Sequence, residues 1–217
     1  MSGRKSSAKG GLIDTLETAR QTQAERRETA ERAILDAAKT IVAERGLEAL
    51  TLNEAGELAG YSRALPAHYF GTKAALVAAL ADHILGSYAV RVREALNPAD
   101  GLDSLCERVA FYVDDGIRDP VSLRAFMGIL SAGTTNTELA TLVARLTRES
   151  VDGLADLIKR ARDKGEIRAD ARPRAEASII LASMRGVMFQ WLINPDHVTL
   201  SRVRDSLVAN IRRSLAP

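Results

Sequence analysis

The stretch EAGELAGYSRALPAHYFGTK, residues 54–73, constrains the fold most, because glycines and a proline interrupt a chain that otherwise has helical periodicity. Gly60 and Pro66 do not fit inside one continuous helix, since glycine weakens a helix interior and proline breaks it. The pattern therefore predicts two short helices, over residues 52–60 and 63–70, joined by an abrupt turn. We expect Gly60 to take a positive φ in that turn.

A longer helix is predicted on each side of this pair. Residues 27–45 carry apolar side chains at helical spacing, and Gly46 follows where a left-handed residue would end the helix. Thr51 and Glu54 have the spacing of a capping box, and Ser62 is positioned to cap the second short helix. The fourth helix has an apolar stripe formed by Leu76, Val77, Leu80, Ile84 and Leu85.

Two short helices braced by a longer one form a helix-turn-helix, whose second short helix can enter the major groove of DNA. We expect its first turn to present Arg63, Ala64 and Leu65 to base edges. Backbone N–H groups near Thr51 and Thr72, at the starts of the second and fourth helices, can face phosphates. The predicted contacts to double-stranded DNA are Thr51, Ser62, Arg63, Ala64, Leu65, His68, Tyr69, Thr72 and Lys73.

Charge and the turn do not by themselves establish DNA binding. Residues 1–75 contain eleven basic and ten acidic side chains, and the whole chain has a formal net charge of +2. A glycine-containing turn between helices also occurs in all-helical proteins that do not bind DNA. A further alternative is an architectural dimer, whose DNA affinity depends on salt but hardly on base sequence.

Residues 32–80 resemble the DNA-binding domain of TetR-type transcriptional regulators in the order, spacing and type of their residues. The matching positions are Ile34-Leu35, Ala37-Ala38, Gly46, Leu50-Thr51-Leu52, Ala59-Gly60, Ser62, His68-Tyr69-Phe70, Lys73 and Leu76. The rest of the chain matches that family only in length and helical layout. The resemblance implies a sequence-specific regulator, a repressor that a small-molecule effector releases from a palindromic operator.

Two dipeptides depart from the family pattern. Ala55-Gly56 stands where the family usually has a bulky aliphatic residue followed by alanine, and Pro66-Ala67 stands where it usually has Leu-Tyr. In the family that tyrosine typically contacts a phosphate, so one expected contact is missing here. Proline is compatible with a helix only near its first turn. We therefore expect an operator sequence that differs from those of other family members.

The chain beyond residue 72 predicts six further helices, separated by Asn-Pro, Asp-Pro and glycine signals. Their predicted ranges are 73–96, 101–118, 120–132, 137–164, 173–193 and 199–215. No strand-like alternation is present. The fold prediction is an all-α protein of about nine helices. It comprises a flexible N-terminal arm (residues 1–26), a three-helix helix-turn-helix domain (27–74) and a larger helical ligand-binding and dimerisation domain (75–217).

The last two predicted helices suit a dimer interface. Small residues four apart permit close helix approach on the first of them, and an apolar stripe runs along the second. The predicted interface residues are Ser178, Ala182, Gly186, Leu200, Val203, Leu207 and Ile211. In TetR-type proteins these helices pair with their twins in a four-helix bundle, so the resemblance implies a homodimer. The alternative explanation of the stripe is an ordinary intramolecular core.

The resemblance also implies a small-molecule effector bound among the middle helices. The candidate ligand-binding residues there are sulfur-containing or aromatic: Cys106, Phe111, Tyr112, Phe126, Met127, Met184, Met188 and Trp191. Such side chains at helical spacing are more often plain core than a ligand site. We expect a mostly apolar effector, and no cluster of polar groups converges on a particular chemistry.

An enzyme is the hypothesis from a different class, and the sequence argues against it. His68, His83 and His197 are far apart and lack partners at metal-ligand spacing, and there is no phosphate loop or nucleophile elbow. Asp114 and Asp115 would point about 100° apart on a helix and could not act as facing carboxylates. We therefore predict no catalytic residue, no metal and no cofactor.

The composition predicts an ordinary globular protein outside the membrane. Cys106 is the single cysteine, which excludes an intramolecular disulfide and fits a reducing compartment. The N-terminal residues lack the apolar core of a signal peptide. The most hydrophobic window, residues 177–193, contains Arg185 and Gln190 and is a poor membrane span. We expect a cytoplasmic protein, of bacterial type by the family resemblance.

Overall fold

The structure, a computed structural model, describes residues 22–97 and 101–217, and this part of the chain contains helices and no strands. The helices are α1 (Gln23–Arg45), α2 (Leu52–Leu58), α3 (Leu65–Phe70), α4 (Lys73–Ala95), α5 (Leu102–Arg118), α6 (Pro120–Ala132), α7 (Thr137–Asp163), α8 (Pro173–Ile193) and α9 (Leu200–Leu215). A short 3-10 helix, Leu47–Ala49, connects α1 to α2. The all-α prediction is confirmed. Most of the predicted arm, residues 1–21, lies outside the described residues.

α1 begins at Gln23, earlier than the predicted residue 27, because Thr22 caps it. The Glu25 N–H donates to Thr22 Oγ1 at 3.2 Å, and the Thr22 N–H donates to Glu25 Oε2 at 2.7 Å. This reciprocal capping box satisfies two N–H groups that have no partner within the helix. The first turns of α1 are exposed, so apolar periodicity alone does not reveal where the helix starts.

The first hydrophobic cluster joins the N-terminal helices to the middle of the chain. Ile34, Leu50 and Leu80 are fully buried in it, and they pack together with Ala125 and Ile129 of α6. α1 therefore lies directly against α6 across the predicted domain boundary. Because protein interiors are close-packed, a displacement of α6 would also displace α1 through these side chains.

The second and third clusters hold the C-terminal helices together. The second joins α5, α7, α8 and α9, and the third joins α5 and α6 to α8 and the start of α9. Leu200 and Ile211 of the predicted dimer stripe are buried in these clusters, and Leu207 packs against the second. The prediction that Leu200 and Ile211 lie in a dimer interface is therefore wrong, because they form part of the core of their own chain. Leu207 is partly buried, and its place in an interface stays a prediction. Val203 is half-buried.

α4 connects the helix-turn-helix to the C-terminal helices. Among the described helices it is the one long and apolar enough to cross a membrane by length and composition, and 33% of its most apolar window is buried. The core helix of a soluble protein meets the same criteria, and α4 packs against α1, α3, α6 and α7. Its first residue follows the helix-turn-helix, and Arg91 near its end contacts Asp115 of α5.

Candidate nucleic-acid interface and ligand cavity

The turn between α2 and α3 has the geometry that its sequence predicts. Gly60 has φ +78°, which confirms the expected positive φ. Thr51 caps α2, since the Glu54 N–H donates to its Oγ1 at 3.1 Å. The Glu54 carboxylate pairs with Arg45 at 2.5 Å, and no hydrogen bond links it to the Thr51 N–H, so only half of the predicted capping box forms.

α3 begins at Leu65 and not at residue 63, and the predicted cap by Ser62 is wrong. The capping position belongs to Ala64, which has no side-chain hydrogen bond, and Ser62 contributes only its carbonyl, which accepts from the Leu65 N–H at 3.1 Å. Pro66 explains the later start. Because proline has no N–H, it fits only where that group would lack an intrahelical partner, and a start at Leu65 places it in the first turn.

α3 has a polar exposed side and an apolar side that contacts the core. His68 of α3 is exposed, and so are Ser62, Arg63 and Ala64 in the turn just before it, as a surface that reads DNA requires. Leu65 and Tyr69 are partly buried against the first cluster, so they position α3 rather than project from it. The Tyr69 ring also lies under the Arg27 guanidinium, 5.2 Å from ring centroid to Cζ.

Besides Thr51, three of the predicted DNA-binding residues already have polar partners. Arg63 pairs with Glu57 at 2.9 Å, and this hydrogen bond lowers the pKa of the Glu57 carboxyl. Thr72 caps α4 by accepting from the Ala75 N–H at 3.1 Å. Lys73 Nζ donates to the Glu48 carbonyl at 3.2 Å. Both ends of Arg63's pair are exposed, so the guanidinium can exchange Glu57 for another acceptor at little cost.

The two departures from the family pattern contact each other. A Cβ at Gly56 would lie 2.9 Å from both Cγ and Cδ of Pro66 and 2.8 Å from the Ser62 carbonyl oxygen. Pro66 is buried, and its ring occupies the space beside α2 that a side chain at position 56 would need. Gly56 and Pro66 therefore form one packing unit that holds α3 against α2.

Replacing Gly56 by alanine is expected to lower the free energy of unfolding by about 1–3 kcal/mol, because the new methyl group overlaps backbone and a ring that cannot rotate away. Gly86→Ala is the matched control: this exposed helical glycine has no atom within 4 Å of an added Cβ. The control is expected to stabilise the protein by up to about 1 kcal/mol. Urea unfolding of both variants measures the difference, and equal stabilities would contradict the packing account.

A cavity of about 340 Å³ lies among α4, α5, α6, α7 and α8. Its volume falls at the lower end of the range of small-molecule sites, roughly 300–1,000 Å³. Tyr112, Phe126 and Met184 are the predicted ligand-binding residues that line it. The other five are elsewhere: Cys106 in the second cluster, Met127 and Met188 in the third, Trp191 against the third, and Phe111 buried beside Tyr88.

The cavity contains an ion pair that connects α4 to α5. Arg91 donates from Nε to Asp115 Oδ1 at 2.6 Å and from Nη2 to Asp115 Oδ2 at 2.8 Å. The hydrogen bond to Asp115 raises the pKa of the Arg91 guanidinium. Asp119 lies 3.8 Å from the same guanidinium. Asp114 instead accepts from Arg204 of α9 at 2.8 Å, so the two adjacent aspartates do not face each other, as predicted.

Most of the polar lining lies outside the set of predicted ligand-binding residues, including Tyr88, Arg91, Arg108 and Arg185. The signal for Arg185 was present, because a single arginine interrupts the most hydrophobic stretch of the chain. A charge in such a stretch indicates an interior polar site as well as a poor membrane span. Among the described residues, no three His, Cys, Asp or Glu side chains come together as a set of metal ligands.

One face of α8 is apolar and exposed. Ile179, Phe189 and Ile193 are 63%, 50% and 68% exposed, and the smaller Ala182 and Gly186 lie between them at helical spacing. We call these five residues the α8 outer face. A Cβ at Gly186 would meet no atom within 4 Å, so the space in front of it is open in the single chain. Ser178, also predicted for the interface, is exposed beside this face.

A helix-turn-helix joined through one long helix to a helical domain with a cavity defines a class, that of helix-turn-helix DNA-binding regulators. Two family models match the chain. Residues 34–80 match bacterial regulatory proteins of the tetR family, and residues 99–216 match the C-terminal domain of BetI-type transcriptional repressors. The chain belongs to the TetR family of transcriptional regulators, and its C-terminal domain is of the BetI type.

Individual relatives agree with this assignment. The HTH-type transcriptional regulator BetI of Rhizobium meliloti (strain 1021) is 29% identical over 121 residues, which are 54% of this chain and 58% of that protein. The match thus spans less than two thirds of this curated relative.

Solved structures share the fold at lower identity. A Rhodococcus sp. protein described as a TetR-family transcriptional regulator has a TM-score of 0.79 and 24% identity, with coverage of 87% of this chain and 100% of that one. A Saccharomonospora viridis protein described as a transcriptional regulator, in complex with choline, has a TM-score of 0.69 and 21% identity, with coverage of 88% and 99%. At these identities the likeness establishes the fold alone.

Proposed function

We propose that the protein is a homodimeric, sequence-specific repressor, which binds a palindromic operator and leaves it when a small molecule binds the cavity. The observation that carries the proposal is the division of the α3 region into an exposed side, with Arg63 just before the helix and His68 within it, and a side held on the core by Leu65 and Tyr69. A recognition helix needs this arrangement to enter a major groove while remaining fixed to its domain. A cytoplasmic location is part of the same proposal.

The α8 outer face supports the dimer. Three large apolar side chains on one exposed helix face would be buried if two copies met there around a two-fold axis. Such a dimer would present two α3 helices to successive major grooves, about 34–36 Å apart. The palindromic operator follows from that symmetry.

The position of α4 supports release by an effector. Lys73 lies at its first turn, next to the DNA-binding surface, and Arg91 lies in the cavity, about 27 Å further along the helix at 1.5 Å per residue. A ligand that favours one position of α4 over another would change the separation of the two α3 helices. Coupling of about 1–3 kcal/mol would weaken operator binding roughly five- to 150-fold.

Selection of bound duplexes from a random DNA library by the purified protein tests the proposal. We expect the sequenced duplexes to share an inverted repeat. Bound duplexes without a shared motif would support an architectural DNA-binding protein instead, and absence of binding at low salt would overturn the proposal.

Alanine variants of Arg63 and Lys73 separate base reading from phosphate contact. Arg63→Ala is expected to lose about 1–3 kcal/mol of operator binding and much less on random DNA, since a base-edge contact carries sequence information. Lys73→Ala is expected to weaken both alike and to reduce the salt dependence by about one counterion per chain. Fluorescence anisotropy across a salt series measures both effects. Lys159→Ala on α7 is the control. Equal losses of affinity for Arg63→Ala on operator and random DNA would show that Arg63 does not contact base edges.

A further inference from the structure

Each carboxylate that lines the cavity lies beside an arginine. Asp115 and Asp119 lie beside Arg91, at 2.6 Å and 3.8 Å, and Glu149 accepts from Arg145 at 3.3 Å. The lining also includes Arg108, Arg160 and Arg185. Among the described residues that line the cavity, four are arginines and three are carboxylates, and each carboxylate has an arginine within 4 Å.

Arg185 has no carboxylate partner in the part of the chain that the structure describes. Its guanidinium donates only to two hydroxyls of α7, Thr147 Oγ1 at 3.2 Å and Ser150 Oγ at 3.5 Å. Burial lowers the pKa of this guanidinium, because no opposite charge within the described residues offsets the loss of hydration. The arginine nevertheless remains protonated at neutral pH. A partly buried cation with free donors is a binding group for an anion.

The Tyr112 hydroxyl is a second unsatisfied donor in the same place. This oxygen is buried and has no hydrogen-bond partner in the described part of the chain. Among the described residues, every other buried side-chain nitrogen or oxygen has one. Burial raises the pKa of Tyr112 to about 12, and the positive charge of Arg185 acts in the opposite direction. The tyrosine is thus a neutral O–H donor at physiological pH. A buried polar group without a partner is costly and calls for a ligand or water.

Apolar side chains form much of the remaining lining of the cavity. Ile84 and Leu85 of α4, Leu154 and Leu157 of α7 and Leu181 of α8 line it. An occupant therefore meets the donors of Arg185 and Tyr112 together with hydrocarbon side chains from three helices.

We propose that the effector is a small amphiphile with a single anionic group, a carboxylate or a phosphate, held by Arg185 and Tyr112, with its apolar body along α4, α7 and α8. The inference rests on the proposed function of the cavity as an effector site. The planar guanidinium matches two oxygens of either anion, and the Tyr112 O–H reaches another lone pair. A quaternary ammonium such as choline would place its charge beside an unpaired arginine.

Binding is measured by calorimetry on the full chain without DNA, with four ligands that share one octyl chain: octanoate, octyl phosphate, 1-octanol and octyltrimethylammonium. Choline is the fifth probe. We expect the two anions to bind at least tenfold more tightly than the alcohol and both cations. The tighter of the two anions identifies the head group as carboxylate or phosphate.

Two variants test the residues, and one is the control. Arg185→Gln is expected to weaken the anion by about 10- to 100-fold, since it removes a charged bidentate donor. Tyr112→Phe is expected to weaken it about three- to tenfold without lowering the melting temperature of the free protein, because the lost hydroxyl has no partner there. Arg174→Gln, an exposed arginine on the same helix, is expected to leave affinity unchanged.

The inference is overturned if either cation binds more tightly than both anions, if Arg185→Gln changes anion affinity less than twofold, or if no anion binds at about 1 mM. Because this assay contains no DNA, its failure is separate from failure of the operator selection. A protein that selects an operator but binds no anion keeps the proposed function and loses this inference.

Discussion

Replacing Arg91 by leucine is expected to lower the free energy of unfolding by about 3 kcal/mol. Asp115 is buried, and the bidentate hydrogen bonds from Arg91 hold its carboxylate between α4 and α5. Breaking a buried pair by removing one partner costs about 3–5 kcal/mol, because the remaining charge is uncompensated. The lower end of that range applies, since the Arg91 side chain is 34% exposed and water reaches it.

Two further variants separate the ion pair from other causes. Arg93→Leu changes an exposed arginine on the same helix, and we expect its stability to remain within about 0.5 kcal/mol of the wild type. In Arg91→Leu/Asp115→Leu both charges are gone, and most of the lost stability is expected to return. Urea unfolding of the three variants gives the comparison. If the double variant were as unstable as Arg91→Leu, the broken ion pair would not be the cause of the lost stability.

Placing two charges on the α8 outer face is expected to convert the proposed dimer into monomers and to weaken operator binding by about 10²- to 10⁴-fold. The variant Ile179→Glu/Ile193→Glu puts carboxylates where apolar side chains would meet their copies, and burying unpaired charges is strongly unfavourable. Loss of the dimer removes the avidity of two half-sites. Light scattering during gel filtration should give a mass of 23.4 kDa, the mass of one chain.

The matched control carries the same added charge on another surface. Ile117 and Val121 are 44% and 41% exposed at the junction of α5 and α6, so Ile117→Glu/Val121→Glu introduces two glutamates away from α8. We expect this control to keep the dimer mass and the operator affinity. If the α8 variant also remained dimeric, the interface would have to be sought on a different face.

Local signals in the sequence determine much of the fold. The limits of α5, α6 and α8 follow from prolines and glycines, and the Gly60 turn follows from the need for a positive φ. The start of α3 does not follow from Ser62 as a capping residue, because Pro66 moves the first helical residue to Leu65. The stripe on α9 was correct as a pattern but ambiguous in meaning, since periodicity shows that a helix has an apolar side and not which molecule covers it.

The cavity could not be predicted to the same degree. Tyr88 lies beside Tyr112 with ring centroids 6.2 Å apart, and Arg91 meets Asp115, because α4 crosses α5 at a particular angle and depth. The spacing of residues within one helix determines neither this crossing angle nor this depth. Cys106 and Met188 were reasonable candidates by chemistry, yet helix rotation places them in the second and third clusters.

The contact between Gly56 and Pro66 also limits how the DNA specificity of this protein can be re-engineered. A recognition helix transplanted from a relative with Leu-Tyr in place of Pro66-Ala67 would lose the ring that fills the space above Gly56. Such a chimaera would leave a void between two helices, and α3 could settle at a different angle to the groove. The residue at position 56 must therefore be exchanged together with the helix, although it is buried and reads no base.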